Sequence, residues 1–452
     1  MRKIERRALL CLLLAGALTL GLLVFVVLFV KDGGDWVSFP ANRHLYNSRG
    51  ELAVGRVLDR DGDVLSWVDE DGSRAYYDNA IVRTSTLHAV GDPQGRIGSG
   101  ALVAFADQLS GYSLLTGASS GEGSDLYLTI DARLNYEAYT ALGGRKGAVI
   151  VYDYRTGEIL CMVSAPAFDP ADPPDIQDGD PAYEGVYVNR ALSGLFVPGS
   201  VFKTVTLAAA IEGIPDLFDR TFTCTGSTLV GGEAISCPHA HGEMDIYGAF
   251  ANSCNGVFAQ LAVELGPQAL EAQTEKAGLT TSYSVNGLRT AAGSFQFSGA
   301  TEAQLGWAGV GQYNDLVDPL SLMVYMGGIA NGGRAAVPQL VLKTSSLLGG
   351  AYHSRQTGSL IDSGTAATLA GMMARNVTES YGSSRFPNMD LCAKSGTAEV
   401  GGGKSPNAWF AGFLRNEDAP YAFAVVVEEG GSGAQTAGTV AARVLDLLVN
   451  GY

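Results

Sequence analysis

The chain is 452 residues long, 46% hydrophobic and 17% charged, with a formal charge of −16. That balance excludes an intrinsically disordered chain, and the length allows two or three domains around a sizeable core. The acidic surplus argues against nucleic acid as a partner, because gripping phosphates needs clustered Lys and Arg; a solvated acidic surface accounts for it.

The opening "MRKIERR" places Arg2, Lys3, Arg6 and Arg7 before Ala8–Val30, a run without a charged residue. As a helix that run would span roughly 34 Å, enough to cross a bilayer. Basic flanks stay inside, so we expect a cytoplasmic tail at residues 1–7, a transmembrane helix at 8–30 and an extracytoplasmic remainder. A cleaved signal peptide is the competing reading, but "FVKDGGDW" offers no A-x-A-like cleavage site.

Residues 31–121 are rich in Gly, Asp and Arg, with short strand-like runs. In "GRVLDRDGDVLSWV" the "DRDGD" reads as a turn between two strands. A small, mainly β, membrane-proximal domain is expected there, and "TGASSGEGS" leads out of it. The larger domain, residues 122–452, begins with "DLYLTIDARLNYEAYTAL", a strand running into an amphipathic helix. "GAVIVYDYRTGEILCMVS" predicts a hairpin around "YRTGE", and "DPADPPDIQDGDP" a loop. Helical patterns then dominate to about Asn331; "NAWFAGFL" and "YAFAVVVEE" read as strands before the closing helix "QTAGTVAARVLDLLVN". Strands at both ends with helices between predict an α+β fold. Its central antiparallel sheet would be assembled from distant parts of the chain, covered by helices, with a helical region inserted.

Within that region "VPGSVFKTVTLAAAIEG", Val197 to Gly213, poses an energetic problem. Read as a helix, it sets Ser200 and Lys203 on one face, a single turn apart, in a run apolar nearly all round. A buried ammonium is costly unless paired or neutral. A neutral lysine is a base, and a serine hydroxyl needs a base to become a nucleophile. Pro198 and Gly199 suit a tight entry that puts Ser200 in the first helical turn, where unpaired N–H groups favour a developing anion.

S-x-x-K alone is a cheap pattern. Two further elements follow: "NSCNG", with Ser253 and Asn255, and "AKSGTAEV", with Lys394, Ser395, Gly396 and Thr397. S-x-N recurs at Ser284/Asn286 and Ser405/Asn407, whereas S-x-x-K and K-[ST]-G each occur once. The weight lies in the order of the three.

Of six cysteines, Cys11 falls in the apolar run, leaving Cys161, Cys224, Cys237, Cys254 and Cys392, an odd set that cannot pair completely. Cys224 and Cys237 flank "TCTGSTLVGGEAISCPHAHG", where a disulfide or free thiols are equally expected. Cys237, His239 and His241 raise a metal site as well, but their spacing matches no familiar zinc pattern. Neither a metal nor a cofactor is expected.

The three motifs resemble those of the serine penicillin-recognising enzymes, the penicillin-binding proteins and serine β-lactamases. "VNRALSGLFVPGSVFK", "ANSCNGVFAQLAVELG", "GVGQYNDLVDPLSLMVYMGGIANGG" and "AKSGTAEVGGGKSPNAWFAGF" look like blocks of class B penicillin-binding proteins, and "RGELAVGRVLDRDGDVLS" resembles their membrane-proximal opening. The resemblance runs from about Arg49 to Glu428. It implies a monofunctional peptidoglycan D,D-transpeptidase in which Ser200 attacks the penultimate D-alanine carbonyl of a stem peptide and Lys203 takes its proton. Ser253 would help protonate the leaving amine, and Asn255 would hold Lys203 and the substrate amide. Lys394 would supply positive charge, while Ser395, Gly396 and Thr397 bind the substrate, the two hydroxyls gripping its terminal carboxylate. The N–H groups of Ser200 and Thr397 would form the oxyanion hole, and an amine from a neighbouring stem would resolve the acyl-enzyme. The implied partners are stem peptides ending in D-Ala-D-Ala, β-lactams, the membrane, and a glycan polymerase of the shape-elongation-division-sporulation type.

Three departures stand out: Ser395 where threonine is commoner, Cys254 inside the second motif, expected to be a buried structural thiol, and Tyr313 where "GQYND" usually carries glycine. A class A β-lactamase would need an E-x-x-L-N segment between Asn255 and Lys394, which the sequence lacks. A bifunctional enzyme would need a glycosyltransferase domain, and roughly 85 residues between anchor and "DLYLTID" are too few. A β-lactam sensor would need an intracellular effector region, and an inactive division scaffold is at odds with an intact set of motifs.

Overall fold

The computed structural model describes residues 2–38, 54–70, 72–110, 123–345 and 353–451. Most of "TGASSGEGS" and the start of "RGELAVGRVLDRDGDVLS" lie outside the described residues. The first helix, α1 (Arg2–Ser38), contains the expected span. Its segment Arg7–Lys31 has a mean hydropathy of 2.8, has no fully buried residue, and is the one helix among the described residues long and apolar enough to cross a membrane. It fits a single-pass membrane protein.

"DRDGD" forms the predicted turn because Asp59 folds its carboxylate back onto the backbone: Oδ1 accepts from the N–H of Asp61 at 3.0 Å and of Asp63 at 2.9 Å. Strands Val57–Leu58 and Val64–Val68 flank it. They belong to a five-stranded sheet, to which Leu126–Leu128 pairs parallel beside Val57–Leu58. Val341–Thr344 closes that edge and Arg74–Tyr76 the other. Strand-like runs within residues 31–121 predict a sheet of local strands, yet two of the five strands, Leu126–Leu128 and Val341–Thr344, come from beyond residue 121.

The second sheet is the centre of the molecule. Strands β1 (Gly147–Asp153) and β2 (Ile159–Ala165) form the predicted hairpin, and β3 (Leu391–Ala398), β4 (Asn407–Leu414) and β5 (Tyr421–Val427) complete it. The order is β3-β4-β5-β1-β2, antiparallel throughout, with Val427 opposite Gly147. Every residue of β4 is buried. Both faces of the sheet are covered, which is why this antiparallel strand reads as a continuous apolar run.

Six of the helices that follow α1 frame the sheet and the inserted region: α2 (Ala132–Leu142), α3 (Lys203–Gly213), α4 (Asn255–Lys276), α5 (Pro319–Ala330), α6 (Ser363–Asn376) and α7 (Gly438–Asn450). Side chains alternate across the sheet. Ile150, Tyr152, Trp409, Ala411, Ala424 and Val426 face α5 and the inserted helices; Val149, Val151, Phe410, Phe423 and Val425 face α2 and α7. In the inserted region α3 packs on α4 and α6. A break at Gly266, where φ is 77°, bends α4 ahead of Pro267. Two small hairpins precede α4: Ser227–Val230 with Glu233–Ser236, and Phe222–Cys224 with Gly242–Met244.

Candidate active site

Ser200 does not lie in an α-helix. Residues Gly199–Val201 form one 3₁₀ turn and α3 begins at Lys203. The cause is Gly199, whose φ of +57° an α-helix cannot contain. Its N–H donates to Gly311 O at 2.8 Å, and a Cβ on Gly311 would stand 2.0 Å from the oxygen of Gly199. Two backbones therefore clasp where only glycine fits. Residues three apart stack in a 3₁₀ turn, so Ser200 and Lys203 remain on one side. Ser200 is half-buried, Lys203 wholly buried. A Cβ on Gly396 would meet Pro198 O at 2.9 Å, and one on Gly199 would meet Thr397 O at 3.0 Å. The turn carrying Ser200 thus lies directly against β3.

The opposite wall is the turn between helix Ile246–Ala251 and α4. Ser253 occupies the left-handed region, φ +53°, which is strained for a residue with a side chain. That conformation aims both its oxygens inward. Lys203 Nζ donates to Ser253 O at 2.6 Å and to Asn255 Oδ1 at 2.7 Å, and lies 3.2 Å from Ser253 Oγ. Lys394 Nζ donates to Ser253 Oγ at 2.9 Å and to Ser395 O at 3.2 Å. The rings of Phe258 and Phe250 lie beneath Lys203 and Lys394, at 5.5 and 5.7 Å from the amine nitrogens.

Among the described residues no carboxylate pairs with either amine. Burial drives the Lys203 ammonium down to about 7, with Cys254 and Cys237 pulling weakly the other way. Burial, and then the Lys203 charge, drive Lys394 well below its ordinary value. Two buried amines meeting at one hydroxyl do not both stay charged at neutral pH. A neutral amine has two N–H bonds and one lone pair. At Lys203 the acceptors Ser253 O and Asn255 Oδ1 take both N–H bonds, leaving the lone pair to receive a hydroxyl hydrogen. Ser200 Oγ makes no hydrogen bond among the described residues.

β3 is an edge strand, and its outward groups can be followed one by one. Ala393 O accepts from Asn376 Nδ2 at 3.1 Å, and Ser395 N donates to the Tyr381 hydroxyl at 2.8 Å. Outward groups alternate along a strand. The next outward N–H is therefore that of Thr397, beside the turn of Ser200, and no side chain among the described residues caps it. The Ser200 N–H sits in a first turn, where amides have no intrahelical partner. Two N–H donors without a partner among the described residues thus lie on abutting segments.

Ser200, Lys203, Ser253, Asn255, Lys394, Ser395, Gly396 and Thr397 accordingly surround a single cleft. The other S-x-N matches lie elsewhere: Asn286 Oδ1 accepts from Leu340 N and Val341 N, and Asn407 Oδ1 from Glu429 N. Asn376, Tyr381, Phe250 and Phe258 escaped sequence reasoning; they carry no motif and act only through contact. Tyr313 keeps the left-handed backbone of a glycine, at φ +70°.

All the cysteines are free thiols. Cys224, Cys237, Cys254 and His241 come together, while His239 stands outside that group with its ring edge-on to His241 at 4.5 Å. Cys254 is fully buried, as expected.

The family model described as the penicillin binding protein transpeptidase domain matches residues 147–448. The chain is 30% identical over 362 residues to the peptidoglycan D,D-transpeptidase PbpA of Mycolicibacterium smegmatis, covering 71% of each. It is 26% identical to the peptidoglycan D,D-transpeptidase MrdA of Escherichia coli K12, over 73% of this chain and 58% of that one. The ceftriaxone acyl-enzyme of penicillin-binding protein A from M. tuberculosis superposes with a TM-score of 0.78 at 25% identity, over 87% of this chain and 97% of that one. The D,D-transpeptidase domain of a peptidoglycan glycosyltransferase from Eggerthella lenta gives 0.73 at 28%, over 88% and 99%.

Proposed function

The chain belongs to the penicillin-binding protein transpeptidase family, and we propose that Ser200 is its nucleophile. It is a class B peptidoglycan D,D-transpeptidase, a serine acyl-transfer enzyme that cross-links the cell wall and binds penicillin. The roles of its residues follow from the cleft. Ser200 Oγ bonds to the penultimate D-alanine carbonyl carbon as its hydrogen passes to the Lys203 lone pair. The N–H groups of Ser200 and Thr397 hold the oxyanion; losing one such donor costs ~2.7–4 kcal/mol of transition-state stabilisation. The C–N bond then breaks. The departing D-alanine amine takes the hydrogen of Ser253 Oγ, which is replenished from Lys203, and Lys394 keeps that hydroxyl oriented. An amine from a second stem peptide attacks the ester, returns its proton by the same route and frees Ser200. Asn255 fixes Lys203, and Ser395, Gly396 and Thr397 receive the substrate's carboxylate end along the open edge of β3.

One observation carries this reading: two buried lysine amines converge on Ser253 Oγ, at 3.2 and 2.9 Å. The test is cross-linking of nascent glycan by purified full-length protein. Ser200→Ala should abolish both cross-links and the penicillin adduct; a persisting adduct would overturn the assignment. The basic residues in the first turns of α1, ahead of its apolar run, support a cytoplasmic N-terminus and an extracytoplasmic catalytic domain. A monofunctional transpeptidase needs glycan made elsewhere, which supports a glycan polymerase of the shape-elongation-division-sporulation type as partner.

A further inference from the structure

We propose that Arg385 fits the cleft to a free carboxylate at the end of its substrate, acting through the turn Gly433–Ala437 on the hydroxyl of Thr397. Residues two apart on a strand share a face. Ser395 and Thr397 therefore both lie on the side of β3 turned toward α7, the side of Phe410, which stands opposite Ser395. The turn Gly433–Ala437 leads into α7 and presses on that part of the sheet. A Cβ on Gly433 would stand 2.1 Å from Gly396 O and 2.6 Å from Trp409 O, so only glycine lets the turn come this close. From there the Gly433 N–H donates to Thr397 Oγ1 at 3.3 Å.

Arg385 holds the turn at two points. Its Nη1 donates to Ala434 O and its Nη2 to Thr439 Oγ1, each at 3.0 Å, so one planar guanidinium ties the turn to the start of α7. The side chain leaves the chain just before Phe386, whose ring stacks on Phe410 at 5.8 Å. Phe410 also meets the ring of Tyr381, whose hydroxyl holds the Ser395 N–H. The guanidinium thus belongs to the same corner as the two β3 hydroxyls. Among the described residues no carboxylate pairs with it, so its charge is not cancelled locally.

Hydrogen-bond counting gives this corner its preference. A hydroxyl has one hydrogen and two lone pairs. At Thr397 the Gly433 N–H occupies a lone pair, and no acceptor among the described residues takes the hydrogen. Ser395 Oγ makes no hydrogen bond among the described residues either. Two hydroxyl hydrogens beside a positive charge call for an acceptor that is itself negative. A carboxylate is that group; an ester brings no charge, and a carboxamide turns N–H bonds toward donors. Lys394 is a poor source of the charge, because burial and the neighbouring Lys203 hold it well below its ordinary value. Without Arg385 the turn loses both ties, and the Thr397 hydroxyl loses the fixed N–H that orients it. Arg385 is accordingly a positioning residue. The inference rests on the reading above, in which β3 receives the carboxylate end of the substrate.

The experiment uses full-length protein in detergent with two probes, benzylpenicillin and its methyl ester, in which the carboxylate is masked. Time courses at several concentrations separate initial binding from the acylation step. Wild-type protein should favour the acid. In Arg385→Ala that preference should fall about tenfold, through weaker initial binding of the acid more than through slower acylation. Thr439→Val leaves the arginine in place and removes one of its two acceptors, so it should lower the preference in the same direction, by about threefold. Thermal unfolding checks that both variants are folded; a merely structural role would lower stability and affect the two probes alike. An unchanged acid-to-ester ratio in folded Arg385→Ala would overturn the proposal, and an unchanged ratio in Thr439→Val would overturn the turn as its route. Absence of any adduct on wild-type protein would overturn the catalytic reading and this one with it, whereas an unchanged ratio on an intact adduct overturns this one alone.

Discussion

Ser253 Oγ lies between two lysines, 3.2 Å from Lys203 Nζ and 2.9 Å from Lys394 Nζ, at a residue whose own backbone is left-handed, φ +53°. Chemistry and strain thus meet at one position, and they can be separated. Ser253→Ala and Ser253→Gly both remove the bridging hydroxyl, so each should slow acylation by about 10²–10⁴. Glycine accepts the backbone that alanine resists. The glycine variant should be the more stable by about 1 kcal/mol in thermal or denaturant unfolding, and equal stabilities would argue that the turn relaxes.

The base sets the pH profile. Lys203, whose ordinary value is 10.5, is brought to about 7 by burial, and only its neutral form accepts a proton. Acylation should rise about tenfold per pH unit below 7 and level off above. A flat profile from pH 5 to 9 would remove Lys203 as the base. The sign for stability runs the same way. With the folded value depressed, stability from this group is fully present above 10.5 and is lost progressively as pH falls to about 7.

Tyr381 acts at a distance from the reacting atoms. Its hydroxyl accepts the outward N–H of Ser395 two residues before Thr397. Tyr381→Phe strands that amide in a partly closed site, at about 1–3 kcal/mol of stability. As a positioning residue it should lower the acylation rate constant at saturating penicillin more than it weakens initial binding. An effect confined to stability would leave it merely structural.

Tyr313 is 37% exposed and sits at φ +70°. Tyr313→Gly should raise stability by about 1 kcal/mol, because the ring, still more than a third exposed, gains too little from burial to offset the strain. A loss of stability would mean that the ring makes contacts worth more than its backbone cost.

Legibility in the sequence followed what each signal measures. Apolar alternation and run length marked β1, β2, β4 and β5, since strands buried on both faces leave that trace. The three motifs marked the cleft because each reacting group sits at fixed spacing from its neighbour. The 3₁₀ turn was read as helix: i and i+3 coincide in both, and only the contact of Gly199 with Gly311 decides between them. The cysteine group was half legible. Cys237 and His241 are close in sequence, but Cys224 and Cys254 reach the same point through hairpin pairing and the start of α4, which spacing does not encode. His239 was drawn in by proximity along the chain and left out by the fold.

The five-stranded sheet that contains Val57–Leu58 is tied to the central sheet. Its strand Val341–Thr344 runs on from Gln339, which is bonded on both sides to the β1–β2 hairpin: Ile159 N donates to Gln339 O at 3.0 Å and Gln339 N to Gly157 O at 2.8 Å. Thr129 Oγ1 adds a bond to Ile159 O at 2.7 Å. Swinging one sheet against the other would tear a continuous ladder, so the two move as a single mast. The angle between the cleft and the smaller sheet is then built into the fold, so a substrate strand meets the same wall however that smaller sheet is pulled.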